Sequence, residues 1–554
     1  MRPTSFPASY ERRRGAAAAP LPKDYRRHEP EATLLYQLVQ AHLATLLADA
    51  RANSDDDCGL PWFVEREFRD YLRCGILAHG FARVHCDGCG HDVLVGLSCK
   101  GRGICPRCTT RRMHDTAAHL CDRVLPRIPM RQWVLAFPHR VRFLLARDAK
   151  LLSEALTFFV QALFAFQRRR ARAQGLPTTR AGTSGAVTFV QRFGSALQLT
   201  PHFHTLLADG VFVEDRTGDG DRLRFVKLEP PDEAEVDGIL ARVIRRVDKL
   251  LAARGMLAAP GDSHTDEPTD LLSHTLVRAM TMPPKRGAGP APIQISAPPP
   301  RTARRDGFSL HADAAVHEND REGLERLCRY GLRPPLALER LTRCEDGRLR
   351  YRMKRTFSDG TRELLLEPLE LLRRLCALVP PPRAHVTRYH GVFAPNARGR
   401  RALTRQGPSR RSQRAAARLT AVAPWLPPPD TAGPVADAGA WGPPERPLLG
   451  ASELVVDDTL GAPAVPLRTR YLPWAELLRR VHEVDVLKCD RCAGRRRVIA
   501  FITDTHVVTA ILAHLGLPTL PPALASARAP PQAEFGFAVS TDDYFVHPPP
   551  GDPA

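Results

Sequence analysis

Apolar residues along this chain recur at two periods, and the switching between them predicts a mixed architecture. Over 31–50 (EATLLYQLVQAHLATLLADA), Leu35, Val39, Leu43 and Leu46 fall at three- and four-residue steps, the spacing of one helical face. A helix is also predicted over 114–125, and a short strand over 131–137 (RQWVLAF). Residues 148–174 read as a long helix whose apolar part, Leu151 to Phe166, ends in Arg168, Arg169, Arg170 and Arg172. Two strands follow, 186–193 and 197–212, with Gly194 and Ser195 as the turn between them. Over 232–253, Val236, Ile239, Leu240, Val243 and Val247 share one helical face. A helix over 319–331 stops before Pro334 and Pro335, and strands at 348–355 and 361–366 flank a turn at Asp359 and Gly360. The pattern is that of an α+β fold.

Breaks in the pattern divide the chain. Residues 1–30 read as a disordered tail, 31–125 as a metal-binding and DNA-binding domain, and 126–395 as the domain carrying the chemistry, with a Pro-rich insertion at 283–305. Residues 396–466 are basic and then rich in Pro and Gly, the composition of a disordered linker. A small module with one CxxC follows at 467–520, and 521–554 reads as a second disordered tail.

Charge narrows the partner. The 80 Lys and Arg residues outnumber the 60 acidic ones, a surplus of +20 that favours a polyanion, because each cation placed on a phosphate releases counterions. A basic N-terminus with only a four-alanine apolar run does not read as a signal peptide, and no stretch reads as a membrane span. The expectation is a cytoplasmic, nucleoid-associated protein that binds DNA and no membrane.

The 13 cysteines are odd in number and do not make an evenly spaced disulfide framework. In HCDGCGHDVLVGLSCKGRGICPRC, Cys86 and Cys89 form one CxxC, and Cys105 and Cys108 form another 15 residues later. Two such pairs can supply the four thiolates of a tetrahedral zinc site, so one structural Zn²⁺ is predicted on these four residues. Cys99 is left over as a spare or buried thiol, and His85 and His91 are near enough to replace a sulfur. Lys100, Arg102, Arg111 and Arg112 beside the knuckle are candidate phosphate contacts, or else a solvated rim. The distant pair Cys489 and Cys492 has no partner pair nearby; His482 and His506 are candidates to complete a second site.

Alternation along LQLTPHFHTLLADGVF places His202 and His204 on one face of a strand with Gln198 and Thr200, above an apolar face with Leu199, Phe203 and Leu207. Two imidazoles so placed can share one divalent ion or be ordinary strand histidines. Downstream, the helix ENDREGLERLCRYGLRPP carries Tyr330, with Arg326 one turn earlier and Arg329 and Arg333 adjoining. Nearby positive charge favours a phenolate, so Tyr330 is either a nucleophile or a packed aromatic at a helix end.

The run PHFHTLLADGVF resembles the histidine–hydrophobe–histidine motif of the HUH endonucleases. The blocks CxxCG…SCKGRGICPRC, GAVTFVQRFGSALQLTPHFH, LCRYGLRPPL and HVTRYHGVFAPNARGR resemble the rolling-circle transposases of the insertion-sequence ninety-one type, over about 30–400 and again around 471–516. The resemblance implies a zinc domain that helps bind transposon ends. It further implies Mg²⁺ or Mn²⁺ on His202 and His204, and Tyr330 as the nucleophile that leaves a covalent 5′-phosphotyrosine on single-stranded DNA. The family's other tyrosine would fall four residues earlier, where this chain has Arg326, a further candidate DNA contact. Tyr351 and Tyr389 are the alternative nucleophiles, and Gln191 is a candidate third metal ligand or a core-facing amide. A catalytically inactive zinc-dependent DNA-binding protein is the competing reading, and a replication initiator the weaker third.

Overall fold

The computed structural model describes residues 28–53, 59–178, 182–215, 222–256, 285–286, 300–354, 360–400, 403, 475–476 and 485–528. The tails expected over 1–30 and 521–554 and the linker over 396–466 lie largely outside these residues.

The chain begins with α1 (Leu34–Ala52) and α2 (Trp62–Arg73), then the hairpin β1 (Phe81–Cys86) and β2 (Asp92–Gly96), then α3 (Pro106–Arg123). Thr33 caps α1 by accepting from the Tyr36 N–H. A strand β3 (Met130–Ala136) leads into α4 (His139–Arg147) and the long α5 (Ala149–Ala173), which Asp148 caps. Four strands follow, β4 (Gly185–Phe193), β5 (Leu199–Ala208), β6 (Gly210–Asp215) and β7 (Arg222–Lys227), and then α6 (Glu233–Ala253), whose Asp232 and Glu235 form a reciprocal capping box. The short strands β8 (Lys285–Arg286), β9 (Thr302–Arg305), β10 (Phe308–His311) and β11 (Ala315–Val316) precede α7 (Arg321–Leu332). A meander of β12 (Leu341–Arg343), β13 (Leu349–Arg352) and β14 (Glu363–Leu366), then α8 (Pro368–Leu378) and β15 (Thr387–Gly391), complete the middle of the chain. β16 (Arg496–Ile502) and α9 (Thr505–His514) form the last ordered piece.

The central sheet is antiparallel, in the order β15-β4-β5-β3-β10-β9, with β11 also paired to β3. Period-two burial gives it two apolar faces. Ala186, Val190, Phe203 and Leu207 pack against Phe159 and Leu163 of α5 and Val243 of α6. Val187, Phe189 and Leu206 pack the other way, against Leu120 of α3 and Leu324 and Cys328 of α7. Each buried aromatic contributes about 1.5–3 kcal/mol. This is the expected α+β architecture, with the tyrosine helix lying across the histidine-bearing sheet.

Four features depart from the sequence expectations. First, the strand expected over 197–212 breaks at Asp209, whose carboxylate pairs with Arg131 at 3.0 Å; β6 then leaves the sheet to form a hairpin with β7. Second, α5 is, among the described helices, long and apolar enough to cross a membrane. Its inner face is instead taken up by the sheet and α6: Leu151, Ala155, Phe159 and Leu163 are 0% exposed. Third, the ends of the Pro-rich insertion are strands, since β8 pairs with β14 and β9 with β10. Fourth, the C-terminal module does not stand apart. β16 joins the N-terminal hairpin in the order β16-β1-β2, and 523–528 runs along α1, with the Gln40 amide donating to Ala523 O and the Arg528 N–H to Thr45 Oγ1.

Candidate active site and cysteine clusters

β5 and β4 run antiparallel with Gln191 opposite His202 and Phe189 opposite His204. Directly opposed residues share a face, so Gln191, His202 and His204 all point toward α7. These three polar side chains lie together on that face, and α7 covers it there. Gly331 permits the close approach: a Cβ there would collide with the Phe189 ring. The helix is held at this point by the Gln191 amide, which donates to the carbonyls of Tyr330 at 2.8 Å and Gly331 at 2.9 Å. Two acceptor partners fix the orientation of the amide, because only its nitrogen can donate. The Gln191 Oε1 is therefore turned elsewhere, buried and without a hydrogen-bond partner.

Both ring nitrogens of His204 are likewise buried without a partner. His202 pairs through Nδ1 with Thr200 O at 2.7 Å, which leaves Nε2 for another ligand. The two imidazoles lie 4.9 Å apart between centroids, and the Tyr330 ring stands edge-on to His204 at 5.4 Å. Burial holds the His202 imidazole down to about 4, with Arg333 and Arg142 adding repulsion. Burial, then His202 and Arg333, hold His204 well below its usual range. Both rings are thus neutral near pH 7, the form that coordinates metal.

Tyr330 opens on its other side into a cleft of about 1370 Å³. Arg333 lies over its ring at 4.5 Å and Lys354 at 5.2 Å. Lys100, Arg107 and Arg111 from the cysteine-rich region line the same cleft as Arg326, Arg329 and Arg340, and among the described residues Glu339 is its single lining carboxylate. Of the candidate DNA contacts, Lys100, Arg111 and Arg326 therefore share one wall system with Tyr330. Arg102 and Arg112 do not: Arg102 donates to Ala384 O at 2.5 Å, Arg112 to Lys100 O at 2.8 Å, and both line a smaller neighbouring depression. Tyr351 also lines the cleft but is only 2% exposed, packed into the core beneath α1 and α8. Tyr389 sits on the edge strand β15, with Arg400 over its ring and outside the cleft lining.

The cysteines form two clusters, not the single site of Cys86, Cys89, Cys105 and Cys108 that the spacing suggested. Cys105 and Cys108, at the N-terminus of α3, meet Cys74 at the end of α2 and Cys99 in the loop after β2. Sγ–Sγ separations are 3.6 Å for Cys74–Cys108, 3.5 Å for Cys99–Cys108 and 3.6 Å for Cys105–Cys74. These are close to the edge of a tetrahedron with Zn–S bonds of about 2.3 Å and too long for disulfides. Sulfur hydrogen bonds from Cys105, Cys74 and Cys99 hold the Cys108 thiol far below its usual range, and a helix N-terminus favours thiolate as well. Cys99 is thus a member of the cluster rather than a spare. Cys86 and Cys89 instead meet Cys489 and Cys492. His85 pairs with Asp92 at 2.8 Å and stands outside both clusters, whereas His91, 3.2 Å from an Arg496 guanidinium nitrogen, lies beside the second one, within reach of Cys489 and Asp490. His506 lies in the first turn of α9, outside both clusters, and His482 lies outside the described residues. Cys74 carries no CxxC signal; the surplus Cys99 was the hint that another thiol was needed.

Comparison with known families agrees with this geometry. Residues 46–137 match a family described as transposase zinc-binding domain, and residues 185–401 match one described as "Putative transposase". The first holds six of the eight clustered cysteines, and the second holds Gln191, His202, His204 and Tyr330. The protein is a zinc-binding DNA transposase, and the chain belongs to the IS91-type family. No curated protein and no solved structure gives a match.

Proposed function

We propose that this transposase nicks and rejoins single-stranded transposon ends with Tyr330 as the nucleophile and a divalent cation, Mg²⁺ or Mn²⁺, held by His202 and His204. The observation that carries the reading is the buried His204 ring, whose two nitrogens have no protein partner while Tyr330 stands beside it. Leaving such atoms unpaired costs about 1–3 kcal/mol each, a cost that a ligand on this face would offset. The orphaned Gln191 Oε1, on the same face, supplies a third donor, giving a set of two imidazole nitrogens and one amide oxygen that a divalent cation can complete with water and phosphate oxygens. When bound, such a cation would offset charge on the scissile phosphate.

The chain's own residues do the rest. The DNA backbone lies in the basic cleft, with Arg326, Arg329, Lys100 and Arg111 on phosphates. The Tyr330 oxygen attacks phosphorus as its proton passes to solvent, with Arg333 and Lys354 over its ring facing the charge that develops there. The P–O3′ bond breaks, the 3′ oxygen takes a proton from solvent and leaves as a hydroxyl, and a 5′-phosphotyrosine remains. Attack by a 3′-OH on that linkage reverses the step and joins strands. The Gln191 hydrogen bonds to the carbonyls of Tyr330 and Gly331 position the nucleophile against the histidines.

Incubating the protein with labelled single-stranded ends and Mg²⁺, then running a denaturing gel, tests this. Wild type should form a covalent adduct, and Tyr330→Phe should form none while binding DNA nearly as well. An adduct that persists in Tyr330→Phe moves the nucleophile, with Tyr389 next. No adduct in wild type, with DNA still bound, favours a catalytically inactive DNA-binding protein, to which Arg326 in place of a second tyrosine also points.

A further inference from the structure

We infer that the protein binds a second structural zinc, on Cys86, Cys89, Cys489 and Cys492, and that this ion clasps the C-terminal segment onto the N-terminal hairpin. Cys86–Cys492 and Cys89–Cys489 Sγ separations are 3.5 and 3.6 Å, matching the thiolate spacing of the first cluster. The ligands come from two turns with the same backbone design. In CDGCGH, the Gly90 N–H donates to Cys86 O at 2.9 Å and the Cys86 N–H to His91 O at 3.0 Å. In CDRCAG, the Ala493 N–H donates to Cys489 O at 3.0 Å and the Cys489 N–H to Gly494 O at 2.8 Å. The residue after the second cysteine is left-handed in both, Gly90 at φ 71° and Ala493 at φ 57°. An alanine in that region is strained, and the turn sustains it while aiming both sulfurs at one point.

Small residues keep the ligand space open. A Cβ on Gly88 would lie 3.4 Å from the Cys492 sulfur, and one on Gly494 would lie 3.1 Å from it and 3.5 Å from Cys86 Sγ. Each turn feeds a strand, and those strands are hydrogen-bonded neighbours: His85 pairs with Arg497 and Cys86 with Arg496. Four thiolates around Zn²⁺ leave a net charge of −2, and Arg496, 2% exposed, lies beside the cluster with its guanidinium on Asp490 and His91. Cys89 and Cys492 are exposed, and the apolar contact between the two segments is made elsewhere, where Leu77 and Phe81 pack against Val508 and Leu512. An ion that takes all four thiolates fastens the two turns at the end of the β1–β16 pairing, away from that apolar contact. The clasp also has a consequence at the cleft: it seats β16, whose Val498 and Phe501 line the same cleft as Tyr330.

Zinc content and thiol labelling of the full-length protein, kept in a phosphine reductant, test the inference without reference to cleavage. Elemental analysis should give two zinc ions per chain. The exposed Cys89 and Cys492 should resist alkylation until a chelator is added, then react together with Cys86 and Cys489. The double variant Cys489→Ser/Cys492→Ser should hold one zinc, with Cys86 and Cys89 now labelled and Cys74, Cys99, Cys105 and Cys108 still protected. Cys344→Ser, outside both clusters, should keep two. One zinc in wild type overturns the inference, as does rapid labelling of Cys89 and Cys492 before chelation. If the double variant fails to fold, the wild-type stoichiometry and labelling still decide.

Discussion

The buried cysteine cluster and the buried histidine face both gather polar atoms in the interior, yet they are built to opposite ends. In the cluster of Cys74, Cys99, Cys105 and Cys108, every sulfur has sulfur neighbours at 3.5–3.6 Å, and the surrounding loop is saturated. Glu67 alone accepts the N–H groups of Arg102, Gly103 and Ile104. On the histidine face, both nitrogens of His204 and the Gln191 oxygen are left without partners, while the backbone around them is fixed by strand pairing and by the Gln191 amide. The first region directs its polar atoms at one another and holds the fold together. The second is held rigid by its neighbours so that its own polar atoms stay available to something from outside. Damage should therefore separate cleanly: stability for one, chemistry for the other.

The largest expected effect is at the first region. Cys105→Ser should lose zinc and unfold the module of α1, α2 and α3. Structural zinc contributes on the order of 10 kcal/mol in small domains, comparable with the whole stability of a typical domain. Zinc content and thermal melting would show it; a folded variant that keeps its melting temperature without zinc would break the comparison. A smaller effect should appear at the cleft between the regions. Arg111→Ala should flatten the salt dependence of single-strand affinity by about 0.7 in log–log slope, one phosphate's share. Arg112→Ala should leave the slope unchanged, because Arg112 donates to Lys100 O and lines the smaller depression, not the cleft. Equal slopes in the two variants would return both arginines to a solvated rim.

How much could be read beforehand follows from how local each feature is. Alternation along β5 sufficed to place His202 and His204 on one face, and the proline stop placed Tyr330 at the end of its helix. What alternation could not show is that this face is covered: α7 lies on it only because Gly331 admits the Phe189 ring, a contact across about 140 residues of chain. The cysteines were misgrouped for the same reason. CxxC spacing reports which sulfurs share a turn, not which turns share an ion. Cys89 sits 400 residues from Cys489 and Cys86 406 from Cys492, and β-pairing between β1 and β16 joins them. The shared C-D-x-C text of the two turns was the available clue. The break at Asp209 was hidden as well, because a buried ion pair with Arg131 looks in sequence like one polar residue within an apolar run.

The central claim is that the histidine face holds a cation that serves Tyr330, and the metal dependence of the covalent adduct tests it most directly. Wild-type protein treated with a chelator should form no adduct with labelled single-stranded ends, and adding Mg²⁺ or Mn²⁺ should restore it. His204→Ala should form at least about a hundredfold less adduct at any Mg²⁺ concentration while binding the same DNA and melting at about the same temperature, since its ring nitrogens bond to nothing in the protein. Adduct that forms fully in chelator, or undiminished in His204→Ala, would contradict the account.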